Sequence, residues 1–114
     1  MKLIGSKTES DFRVELLRSN HALQASDSKL RKALETEGHD TKNAYILRST
    51  PDELEVLYTV LIDGSYLISV VIENYENSMP PILERSELET YLQGLRKIDR
   101  VQLLVAQYLA RTKT

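Results

Sequence analysis

Apolar positions along this chain change period twice, from helical to alternating and back to helical. Phe12, Leu16 and Leu23 recur at helical spacing after a start at Thr8 or Ser10, with Leu17 widening the stripe. The polar run Ala25-Ser26-Asp27-Ser28-Lys29 interrupts them, because Ser and Asp compete for backbone hydrogen bonds and favour caps. A second, shorter helix follows from about Asp27 to Glu37, burying Leu30, Ala33 and Leu34. Gly38 stands where a left-handed C-terminal cap belongs. Together these predict an N-terminal helical hairpin.

The alternating region starts at residues 43–49, a short run rich in β-formers, with Pro51 and Asp52 in the turn beyond it. A long hairpin then spans 54–73 around Asp63-Gly64. If those two residues alone make the turn, Ile62 pairs with Ser65 and both faces mix apolar with polar residues. If Ile62-Asp63-Gly64 forms the loop, with Gly64 left-handed at a bulge, Val60 pairs with Tyr66, Tyr58 with Ile68, Val56 with Val70 and Leu54 with Ile72. One face is then wholly apolar. The other collects Glu53, Glu55, Leu57, Thr59, Leu61, Ser65, Leu67, Ser69, Val71 and Glu73. A one-residue slip scrambles this partition, so the pattern favours the second register.

Pro80 and Pro81 make the following stretch extended rather than helical. Ser86 and Glu89 have capping-box spacing and open a helix with Leu88, Tyr91, Leu92 and Leu95 inward. One helix over 87–112 would run about 39 Å at 1.5 Å per residue, long for a chain of this size. Gly94, and a second box-like start at Asp99 and Gln102, predict a kink or split near 96–99. Val101, Leu104, Val105, Tyr108 and Leu109 form the expected buried stripe of the last segment. The expected fold is therefore a single α+β domain over 1–114. Its parts are a helical hairpin, a three-stranded antiparallel meander and a kinked or split C-terminal helix, with the helices on one sheet face.

Composition adds boundaries rather than chemistry. The 114 residues are 41% hydrophobic and 28% charged, ordinary for a globular chain. Without cysteine there is no disulfide framework, no thiolate nucleophile and no sulfur-based zinc site. Lys2 is followed by only two large apolar residues, and no apolar run is long enough to span a bilayer. The expectation is a cytoplasmic protein that engages no membrane.

Charge changes the picture more. Residues 1–51 carry nine Lys/Arg against seven Asp/Glu, and residues 90–114 carry five against Asp99 alone. Between them, residues 52–89 hold nine acids and one base, Arg85. Such segregation bears on partners.

Candidate chemistry is sparse. His21 lies off the main apolar stripe without a partner motif, and His39-Asp40 reads as polar sequence following a helix end. Asp52, Glu53 and Glu55 are too few and too divergent for calcium, with no Asp-x-Asp-x-Asp-Gly loop. A glycosidase carboxylate pair needs a sugar cleft, normally with aromatic platforms, and tryptophan is absent. No phosphate-binding glycine motif occurs, and no cofactor is implied. The acidic balance argues against nucleic acid.

What remains is the second hairpin face, an apolar centre with an acidic rim that resembles a protein interface. Its candidate residues are Glu53, Glu55, Leu57, Leu61, Leu67, Val71 and Glu73. The competing expectation is that the N-terminal residues 1–5, or Ile82-Leu83, cover it. Three functions follow. The first is a non-enzymatic binding module for a basic protein partner, of inhibitor or immunity type. The second is a homodimer joining the acidic block to the basic segment of Arg96, Lys97, Arg100, Arg111 and Lys113. The third is a carboxylate-based enzyme.

Overall fold

The computed structural model describes residues 7–25, 28–73 and 79–112. Their order is α1 (Lys7–Leu23), α2 (Lys29–Thr36), β1 (Ala44–Pro51), β2 (Glu55–Ile62), β3 (Tyr66–Glu73), β4 (Ile82–Glu87), α3 (Leu88–Leu92) and α4 (Lys97–Thr112). The strands form one antiparallel sheet in sequential order, β1-β2-β3-β4. The α+β class stands, but the sheet has four strands rather than three. The prolines end before Ile82, and the segment after them pairs along β3 from Val71↔Ile82 to Tyr66↔Glu87.

The β2–β3 hairpin keeps the predicted division of faces with its pairing shifted by two residues. Ile62 faces Tyr66, Val60 faces Ile68, Tyr58 faces Val70 and Val56 faces Ile72. The loop is Asp63-Gly64-Ser65. Asp63 and Gly64 both take positive φ, 53° and 68°, and the Ser65 N–H donates to the Ile62 carbonyl at 2.9 Å. Asp, like Gly, tolerates this left-handed region, which lets the turn start one residue later than expected. A two-residue shift preserves side-chain parity, so the apolar face survives intact.

Helices cover both faces of the sheet, which corrects the one-face expectation. On one face α2 sets Leu30, Ala33 and Leu34, with Leu23 from the end of α1, against Ala44, Val60, Ile62, Ile68, Val70 and Ile72. On the other, Leu16 of α1 and Leu103, Val105, Ala106, Leu109 and Ala110 of α4 bury Tyr45, Leu47, Leu61 and Leu67. Thus α1 packs on β1 and α4 while α2 packs on β3, rather than the first two helices closing on each other as a hairpin.

The C-terminal helix is split, as its length demanded, at residues 93–96, with Gly94 at φ 75°. Ser86 is consumed as a strand residue opposite Leu67, so Glu87 becomes the N-cap of α3 and makes no side-chain cap bond. The buried stripe of α4 is rotated from the expected one. Ala106 and Ala110 face inward while Tyr108 is exposed. Small residues let the helix approach closely: a Cβ on Gly64 would stand 3.2 Å from the Ala110 Cβ.

Candidate functional site

On its own face of the sheet, α4 reaches along only part of the strands. The reach of α4 is fixed by polar contacts: Gln102 Nε2 donates to the Leu47 carbonyl at 2.8 Å, and Asp99 pairs with Arg48 at 3.7 Å. At its other end the Ala110 carbonyl accepts from Asn43 Nδ2 at 2.8 Å, and the same amide donates to Asp63 Oδ1 at 3.0 Å. The helix therefore spans from mid-sheet to the hairpin turn and leaves the opposite end open.

A β-bulge between Ile46 and Arg48 sets which residues of β1 join that open half. Beyond it the pairings Thr50↔Leu57, Leu57↔Val71 and Val71↔Ile82 run as one row across all four strands. Arg48, Thr59, Ser69 and Glu84 form the next row toward α4. Glu55 faces Glu73 at the open end, and the adjoining turn carries Asp52, Glu53 and Leu54. Leu57 is 40% exposed and Ile82 64%. Glu53, Glu55 and Glu84 are exposed, and Val71 and Glu73 half-buried. Glu73 accepts the Met79 N–H at 2.8 Å. Asp52, Glu53, Leu54, Glu55 and Glu73 line a depression of about 310 Å³.

The seven sequence candidates thus divide. Leu61 and Leu67 are 0% and 1% exposed and belong to the core, because α4 covers them. Of the two segments expected to cover this face, residues 1–5 lie outside the described residues, and Ile82 is itself exposed. Glu53, Glu55, Leu57, Val71 and Glu73 come together at the open end. Ile82 and Glu84 join them, and alternation in the hairpin could not reveal these two because they arrive on a fourth strand.

Among the described residues no group of three or more His, Cys, Asp or Glu side chains could hold a metal ion. His39 lies elsewhere, on the α2 face, where its Nδ1 is 2.8 Å from the Tyr66 hydroxyl and Arg85 stacks over the Tyr66 ring at 4.0 Å. That pairing fixes the loop after α2 to β3, a tertiary role invisible in the local sequence. His21 is exposed on the outer side of α1, beside Val14 and Leu17. A cavity of about 340 Å³ between α2 and the segment before β4 mixes Lys29 and Lys32 with Glu37 and Glu73, and Met79 is exposed at its wall.

Among the described residues no helix is long and apolar enough to cross a membrane. No protein-family model, curated protein or solved structure matches this chain.

Proposed function

We propose that this protein is a non-enzymatic binding module that docks a basic protein surface on the open half of its sheet. One observation carries this reading: the partly exposed row Leu57–Val71–Ile82, framed by Glu53, Glu55, Glu73 and Glu84 on a rigid sheet. An apolar centre with a charged rim is the anatomy of a protein interface. Glu55 stands directly opposite Glu73, two acids across one strand pair. The field of these acids draws in a basic partner. Inhibitors and immunity-type proteins that neutralise a basic target use surfaces of this kind.

The test is affinity capture at low salt with the wild-type chain and the Glu53→Lys/Glu55→Lys variant as baits. Both positions are exposed, so the variant keeps the fold. The expected result is a basic protein held by the wild type and weakened about tenfold or more by the variant, a change of about 1.4 kcal/mol. Capture that ignores the charge reversal overturns the reading. A change in the free protein's own mass upon reversal would instead favour the homodimer.

A further inference from the structure

The two edges of the sheet are treated differently. The outer edge of β1 is closed by side chains: Ser19 Oγ accepts the Ile46 N–H at 3.0 Å, Asn20 Nδ2 donates to the Lys42 and Ala44 carbonyls at 3.0 and 2.9 Å, and Gln102 donates to the Leu47 carbonyl. Among the described residues, no side chain or loop backbone group bonds the outward-facing N–H and C=O groups of residues 82–86 on β4. Ile82, Glu84, Arg85 and Glu87 are all exposed. An edge left in this state is a template for another strand.

We infer that β4 is the edge on which the partner docks, by adding an extended basic segment as a fifth strand. This rests on the acidic-face reading and specifies how that face is engaged. The two rows described above end on β4, one at Ile82 and the next at Glu84. A fifth strand continues both rows, placing one of its residues beside Ile82 and another, two positions along, beside Glu84 on the same face. The matching sequence is therefore an apolar residue and a Lys or Arg in alternate positions. Its backbone supplies the ladder and its basic side chain meets the acid.

A second copy of this chain is a poorer occupant. Antiparallel self-pairing about an axis normal to the sheet keeps the faces matched, so it opposes residues of equal parity. The registers that overlap most set Glu84 against Glu84, or Arg85 against Arg85, of the second copy. Like charges directly opposite destabilise a strand pair, and sliding away from them shortens the overlap of a six-residue strand. The charges on β4 thus guard it against its own copy while leaving it open to a basic strand.

The probe is the end-blocked synthetic peptide Thr-Val-Thr-Lys-Thr-Val-Thr, titrated into the full chain and followed by amide chemical shifts and hydrogen exchange. Two further versions carry N-methyl groups on alternate residues, one in each phase, so that each loses the donors of one edge. The parent is expected to slow exchange at β4 amides. One methylated version should bind about tenfold or more weaker while the other binds like the parent. Glu84→Lys should reject the parent and accept the peptide with Glu in place of Lys.

Strand addition is overturned if both methylated versions bind like the parent, if protection falls away from β4, or if the parent fails to bind at concentrations on the order of millimolar. The acidic-face reading is judged separately by the Glu53→Lys/Glu55→Lys capture. Those substitutions lie off β4, so either idea can fail without the other.

Discussion

Asn43 and Gly64 hold three parts of the chain at one point. The Asn43 amide reaches the Asp63 carboxylate in the hairpin turn and the Ala110 carbonyl near the end of α4, while Gly64 lets that helix approach without a side chain between. Gly64 sits at φ 68°, where an L-residue costs roughly 1–2 kcal/mol. Any Cβ there also presses on Ala110. Gly64→Ala is therefore expected to lower unfolding free energy by about 2 kcal/mol in urea titration, and a stability equal to wild type would mean that α4 can retreat at no cost. Asp-Gly announced this turn in the sequence. The role of Asn43 was not announced, since its partners lie 20 and 67 residues away.

At the scale of elements, the helix faces were less legible than the strand faces. A strand offers two faces, and period-two alternation assigned them correctly even where the pairing was displaced by two residues. A helix can rotate continuously, and which stripe turns inward depends on what it meets. In α1 the inward positions are Leu16, Asn20 and Leu23, while Leu17 is exposed. A buried Asn has no apolar signature; its amide donates to the carbonyls of Lys42, just before β1, and Ala44, at its start. Asn20→Ala should cost about 1–3 kcal/mol, the penalty for unpaired buried groups, and should speed hydrogen exchange along β1 more than along β3. Unchanged exchange along β1 would show that the edge is held by packing alone. The end of α2 has its own polar fastening. Glu35 accepts from Arg31 at 2.7 Å and from the buried Thr41 hydroxyl at 3.1 Å, and these bonds, Arg31 foremost, hold its carboxyl below the ordinary glutamate range. A depressed folded value means that this contribution is present above the unfolded value and disappears as pH falls through the folded one. Glu35→Gln should therefore flatten the acid side of the stability–pH curve. An identical curve would show that Glu35 is not coupled to folding.

For the whole molecule, the sequence carried the α+β class, the split helix and the acidic segment. It did not carry the fourth strand or the distribution of helices over two faces, because both depend on where distant segments dock. Those two features define the candidate surface, since β4 supplies Ile82 and Glu84 and α4 reaches only from mid-sheet to the hairpin turn. Light scattering at low salt and again at about 0.5 M, where exposed charges are screened, should return the mass of one chain at both. A dimer that dissociates with salt would place acidic block on basic helix, and a salt-resistant one would implicate the apolar row. The division of labour between the helices also has a consequence for synthesis. Everything needed to cover the α2 face except part of β4 has been made by the time β3 is complete, whereas Tyr45, Leu47, Leu61 and Leu67 wait for α4. A growing chain therefore completes the α2 layer first and leaves the other apolar layer covered only by α1, through Leu16, until α4 has been made. In that interval the protein is most exposed to aggregation, and a chaperone would find its binding site on the side that the mature molecule hides.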